Sequence, residues 1–194
     1  MLSYSQAGQD IFVIRLLKEK VKGIFLEIGA YHPTDLSNSY LLESKYDWKG
    51  ICIDIDEELE SLFNSQRKCF FISQNAVEIN YKELFDEVGI KSFDYISFDV
   101  DKATLQTLKN FPLKEYPAAV ITYEHDCYGH GDDDKNESRK IFEDLGYVRL
   151  CSDVKHNGNP FEDWYYNPRM LSLTAKEIKK YTCEGLEYTE ILEL

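Results

Sequence analysis

Acids stand at the ends of the apolar segments of this chain. Glu27 and Gly29 close Ile24–Ala30, Asp54 closes the run Ile51–Asp56, Asp99 and Asp101 follow Phe93, and Glu124, His125 and Asp126 follow Ala118–Tyr123. Carboxylates that converge on one point repel each other and have raised pKa values unless a cation sits among them. Two chemistries fit such a set. In the first, Asp101 and Glu124, with Asp99 or Asp126, hold a hard divalent cation such as Mg2+ or Mn2+, which orients an acceptor hydroxyl and lowers its pKa. In the second there is no metal, and His125 or His130, neutral near pH 7, takes the hydroxyl proton as general base. Trp164 and Tyr128 are the rings that could stack on a sugar face, with Asp163 and Asp126 accepting its hydroxyl hydrogens; a Trp in a strand also packs readily into a core.

The elements that bring these residues together are buried strands. A short apolar run bounded by turn residues reads as a strand covered on both faces, the middle of a parallel sheet. Ligands of such sheets bind beyond the carboxyl ends of the strands, which is where the acids fall. The turn after the first strand is Gly29-Ala30-Tyr31-His32-Pro33-Thr34. A dinucleotide fold wants G-x-G-x-x-G so that the backbone can approach a pyrophosphate, and here Tyr31 and Thr34 replace the later glycines. The missing glycines and Pro33 argue against a nicotinamide-dependent oxidoreductase. A nucleoside without phosphates fits better, and S-adenosylmethionine is such a ligand: its ammonium and sulfonium suit Glu27 and Asp99, its ribose diol Asp54.

At 194 residues the chain has the length of one domain, spanning 1–194. No stretch is apolar enough to span a bilayer, and the N-terminal residues lack the pattern of a secretory leader, so a cytoplasmic location is expected. Five cysteines without a C-x-x-C pair read as reduced thiols. The net charge of −13 repels a phosphate backbone, and no basic stripe offsets it, which argues against a nucleic-acid partner.

In chain order, the pattern gives an N-terminal helix over Ile11–Leu17, a first strand at Ile24–Ala30 and a crossover helix capped by Ser37-Asn38. A second strand at Ile51–Asp56, a helix at Glu57–Ser65 and a short strand at Cys69–Ser73 follow, then a helix at Tyr81–Val88. The alternation continues with Phe93–Asp99, a helix Ala103–Asn110, Ala118–Tyr123, an acidic loop holding Asp132-Asp133-Asp134, a helix Glu137–Leu145, and strands Tyr147–Ser152 and Phe161–Tyr166. Alternating strands and helices predict an α/β, doubly wound, mostly parallel seven-stranded sheet with its last strand antiparallel.

Five ordered motifs sharpen this reading. Ser5-Gln6-Ala7-Gly8-Gln9-Asp10, Leu26-Glu27-Ile28-Gly29-Ala30-Tyr31-His32-Pro33, Leu36-Ser37-Asn38-Ser39-Tyr40, Trp48-Lys49-Gly50-Ile51-Cys52-Ile53-Asp54 and Ile96-Ser97-Phe98-Asp99-Val100-Asp101 resemble, in order and spacing, the FkbM-type S-adenosylmethionine-dependent methyltransferases. The resemblance covers roughly residues 3–124 and continues loosely through Glu162-Asp163-Trp164. It implies a Rossmann-like class I methyltransferase that methylates a hydroxyl of a carbohydrate or a glycosylated small molecule. It also implies that Glu27, Gly29 and Ala30 line the methionine part of S-adenosyl-L-methionine, Asp54 the ribose, Asn75 and Ala76 the adenine, and Asp99 the reactive edge. Gln6, Tyr31, Ser37 and Ile55 complete the expected cofactor set. Lys102 departs from the family, which has glycine there. That change keeps open a binding module that has the fold without the chemistry.

Overall fold

The computed structural model describes residues 2–194. One sheet of eight strands runs through them: β1 (Ile24–Ile28), β2 (Lys49–Asp54), β3 (Phe70–Ser73), β4 (Phe93–Phe98), β5 (Ala118–Glu124), β6 (Val148–His156), β7 (Asn159–Tyr166) and β8 (Cys183–Glu184). Their order is β3-β2-β1-β4-β5-β7-β6-β8. Strands β1 to β5 pair in parallel, β7 runs antiparallel between β5 and β6, and β6 therefore points the same way as β1 to β5. The helices are α1 (Gln9–Leu16), α2 (Tyr40–Tyr46), α3 (Glu60–Gln66), α4 (Tyr81–Val88), α5 (Thr104–Asn110), α6 (Cys127–His130), α7 (Asp133–Asp144), α8 (Ala175–Tyr181) and α9 (Tyr188–Ile191).

Strand side chains alternate between faces, so both faces of the sheet need an apolar cover. Phe25 joins a core with Phe12, Leu42, Trp48 and Trp164, while its neighbour Leu26 joins a second core with Phe85, Phe98, Phe111 and Phe142. This double burial is why the strands read as unbroken apolar runs. Helix α1 is buried along all its length except Arg15, because the C-terminal segment covers its far side: Phe12 meets Tyr181 edge-on at 6.0 Å. A helix buried all round shows no amphipathic stripe.

Local chemistry places the boundaries. Helix α4 starts where the Asn80 side chain accepts the Glu83 N–H and stops at Gly89, which is left-handed. Thr174 and Glu177 form a reciprocal capping box at α8. Two expectations need correction. The sheet has eight strands rather than seven, because the two-residue β8 pairs in parallel with β6 at Cys151↔Cys183 and Ser152↔Glu184; so short an edge strand has no periodicity to read. Helix α7 begins at Asp133, not Glu137, and its first turn uses Asp133 and Asp134 as anions at the positive end of the helix dipole.

Candidate active site

Strand order reverses between β1 and β4, and ligands of open sheets bind in the crevice at that point. Here the crevice is a cleft of about 560 Å3, within the roughly 300–1,000 Å3 of small-molecule sites. Gly29 makes it possible. Its φ of 86° lies in the left-handed region, and a Cβ there would collide with the Asp99 carbonyl oxygen, so β1 can leave the sheet against β4 only as glycine. Tyr31 then donates its N–H to Asp54 Oδ2 at 2.8 Å, and the Asp56 N–H reaches Asp54 Oδ1 at 3.1 Å. These two backbone donors hold the Asp54 carboxylate at the cleft.

Gln6, Gly29, Tyr31, Asp54, Ile55, Asn75, Ala76, Asp99, Asp101, Glu124, Asp126 and Tyr128 all line this space. Leu36, Ile53, Gln74, Val100 and Ala103 line it too, and sequence reasoning missed them because they are apolar or unremarkable turn residues. Tyr31, Leu36, Ile55 and Tyr128 are large apolar side chains left exposed around the opening, a surface suited to a ring or an apolar ligand face.

The other expected residues lie elsewhere. Glu27 is buried beneath the turn, accepting from the Asn38 N–H at 2.5 Å, from Ser37 Oγ at 3.1 Å, and from Ser39 Oγ. Burial pushes its carboxyl up, against the pull of Arg67 and these donors. Arg67 spans the same turn, donating to the Pro33 carbonyl at 2.7 Å and to Ser39 Oγ at 2.9 Å. Glu27 and Ser37 thus shape the cleft from behind, and Ala30 is buried beside them. Trp164 is fully buried against Phe12, with ring centroids 4.5 Å apart, and offers no face to a sugar.

Asp163 is likewise buried. Arg139 grips it with two bonds of 2.7 and 2.8 Å, and the Asp153 N–H adds a third at 2.8 Å. His125 belongs to this network and not to the cleft. Its Nδ1 accepts the Cys127 N–H at 3.3 Å, which leaves the neutral ring's proton on Nε2, 3.6 Å from Asp163 Oδ1. His125 is not among the residues that line the cleft. His130 is exposed at the end of α6, near Asp126.

Four acids remain at the cleft. Asp99 and Glu124 share a hydrogen bond, and burial together with the Asp99 charge pushes Glu124 up to about 12. Glu124 therefore carries the shared proton, and its Oε2 is buried without a partner. Burial and neighbouring acids also raise Asp99 and Asp126. Single ligand oxygens of Asp101, Glu124 and Asp126 lie within 4.8 Å of one another. That is an oxygen-only set of the kind Mg2+ or Mn2+ takes, and among the described residues no Lys or Arg lines the cleft to compete.

Parallel strands in this order, with one antiparallel strand near the edge and a cleft at the reversal point, define a Rossmann-like α/β fold. No family model and no curated protein sequence matches the chain. Solved structures do. An O-methyltransferase from Bacillus cereus in complex with S-adenosylhomocysteine is similar with a TM-score of 0.57 and 16% identity, over 85% of this chain and 82% of that one. Human methyltransferase-like protein 13, also with S-adenosylhomocysteine, gives 0.55 and 15%, over 96% and 88%. Fibrillarin from Aeropyrum pernix with natively bound S-adenosyl-L-methionine gives 0.52 and 14%, over 75% and 67%. The fold is that of class I methyltransferase structures.

Proposed function

We propose that this chain is an S-adenosylmethionine-dependent O-methyltransferase of the FkbM type, acting on a hydroxyl of a carbohydrate or glycosylated small molecule. The observation that carries the reading is the cleft: a carboxylate fixed by two backbone N–H groups at the end of β2, and four more acids, uncompensated by any lining Lys or Arg, at the ends of β4 and β5. The residues fit a cationic nucleoside. Asp54 would take the ribose hydroxyls, Asn75 and Ala76 would flank the adenine, Gly29 would let the ligand approach the backbone, and Asp99 would face the ammonium. S-adenosylmethionine, when bound, would supply the methyl group for the acceptor oxygen.

Positioning and proton removal are then the protein's tasks. Asp126 lines the cleft with a raised pKa, which makes it a stronger base than an ordinary carboxylate. It would accept the acceptor's proton, with exposed His130 beside it as an outlet. In a second reading, favoured by their ligand oxygens lying within 4.8 Å of one another, Asp101, Glu124 and Asp126 would hold a divalent ion that acidifies the hydroxyl, and Asp126 would be a ligand instead of the base. Tyr128 and Leu36 offer flat and apolar contacts for the acceptor. A phosphorylated or nucleic-acid acceptor is disfavoured by the acid lining and the net charge.

Calorimetric titration with S-adenosylhomocysteine, beside NAD as control, tests the cofactor. Micromolar binding that Asp54→Ala weakens supports the reading, and no binding overturns it. Methyl transfer to a panel of sugars, with and without Mg2+ or Mn2+, then tests the acceptor and the metal separately.

A further inference from the structure

All five cysteines are free thiols, yet four of them meet in two pairs. Cys52 and Cys69 have Sγ atoms 3.5 Å apart. Cys151 and Cys183 neighbour each other closely enough that each shifts the other's thiol, and the Cys151 S–H donates to the Tyr181 carbonyl oxygen at 3.4 Å. Register separates the pairs. Cys151 stands directly opposite Cys183 across the parallel β6–β8 pairing. Neighbouring strands lie about 4.8 Å apart, inside the roughly 4.4–6.8 Å between Cα atoms that a disulfide bridges. Cys69 precedes β3, and the pairing Ile51↔Phe70 sets it beside Gly50. The two-residue offset to Cys52 puts their Cα atoms roughly 8 Å apart, too far to bridge without moving backbone.

We propose that Cys151 and Cys183 form a thiol–disulfide modification site that takes a low-molecular-weight disulfide as oxidant and fastens the C-terminal segment to the sheet. Cys183 is the entry point. It is half-buried where Cys151 is fully buried, and the neighbouring Cys151 holds its thiol below the ordinary range. Its thiolate attacks one sulfur of the oxidant, forming a mixed disulfide and releasing one small thiol. Cys151, losing its proton, then attacks Cys183 Sγ and displaces the second small thiol. Two protein thiols are oxidised and one small disulfide is reduced to two thiols.

The bond would hold a segment that backs the cleft. Beyond β8, the backbone at Lys155 pairs in parallel with that at Glu187, and the Glu187 side chain accepts the Gly158 N–H at 2.5 Å. The Tyr188 ring meets His156 at 5.6 Å, and His156 Nδ1 lies 3.5 Å from Gln6 Nε2, which lines the cleft. Only two residue pairs join β8 to β6, so a covalent tie there changes how often this segment lifts away.

The test is to equilibrate the protein in glutathione buffers from fully reduced to fully oxidised, both directly and by refolding from urea so that access does not limit the outcome. The thiols are then alkylated and the peptides mapped. At the oxidised end the Cys151 and Cys183 peptides should be joined and two hydrogens lighter than the dithiol. Cys52 and Cys69 should not be joined to each other. The oxidised protein should melt several degrees higher and resist trypsin at Lys176, Lys179 and Lys180, and Cys183→Ser or Cys151→Ala should abolish both differences. Alkylated or singly glutathionylated Cys151 and Cys183 after both treatments, or a bond joining Cys52 to Cys69 instead, would overturn the proposal.

Discussion

Two groups of acids sit at the same edge of the sheet and meet opposite fates. Asp153 and Asp163 are supplied with cations from α7: Arg139 bonds both, and Lys135 reaches Asp153 at 3.2 Å. Burial would raise Asp163, but His125 and Arg139 hold it well below the usual carboxylate range, and Asp153 is lowered by Arg139 and Lys135 in the same way. At the cleft, Asp99, Glu124 and Asp126 have no such partner, and all three are raised. The fold neutralises one cluster internally and leaves its neighbour to share a proton, so a cation from outside is the partner the second cluster still lacks under the proposed function.

The largest effect should come from breaking the compensated cluster. Arg139→Ala removes the paired guanidinium from buried Asp163, leaves Asp153 to Lys135 alone, and should cost about 3 kcal/mol in urea denaturation. Asp126→Asn in the cleft should leave stability unchanged or raise it, since it removes a like charge. Equal losses in the two variants would dissolve the distinction. Next, Asp54→Ala should weaken S-adenosylhomocysteine roughly ten- to a hundredfold in calorimetry, the loss of a charge-assisted hydrogen bond.

The pH profile sharpens the comparison. Glu162, buried beside Gln9 and Trp164, is pushed up to about 8 by burial. A folded pKa above the unfolded value gives stability that is complete below about pH 4.5 and is lost as pH rises through the folded value. Glu124, Asp99 and Asp126 act in the same sense. Asp163 acts oppositely, its contribution vanishing as pH falls below the ordinary carboxylate range. Thermal melts should therefore show greatest stability near pH 5 and a decline towards pH 8, which Glu162→Gln should flatten. A smaller effect is expected from cations. Mg2+ or Mn2+ should raise the melting temperature more at pH 8 than at pH 5.5, because binding must displace the shared proton, and Asp101→Asn should remove the rise. Smallest of all, Tyr128→Ala should raise the acceptor KM severalfold with cofactor binding intact.

Much of the cleft was legible from types and spacing. Gly29, Asp54, Asp99, Asp101, Glu124 and Asp126 all reach it because strands that run parallel must share an exit edge, so the residue that ends each apolar run is placed there by topology alone. His125, Asp163 and Trp164 are a different matter. Each also falls at that edge, but alternation along a strand and the partner across it decide which way a side chain faces. Tyr123↔Asp163 and Thr122↔Trp164 are pairings with β7, and Arg139 arrives from a helix whose first turn carries no sign of its destination.

Glu27 shows the same limit from the other side. Its place at the end of β1 was readable, yet the Ser37-Asn38-Ser39 turn folds back over it and absorbs its oxygens. The chain by itself thus determined which strands are buried, the edge at which they end and the acids collected there, because those follow from local hydrophobic pattern and chain direction. Only the tertiary structure decided which of those acids meet an arginine and which are left facing open space, because ion pairing depends on contacts between residues far apart in the chain.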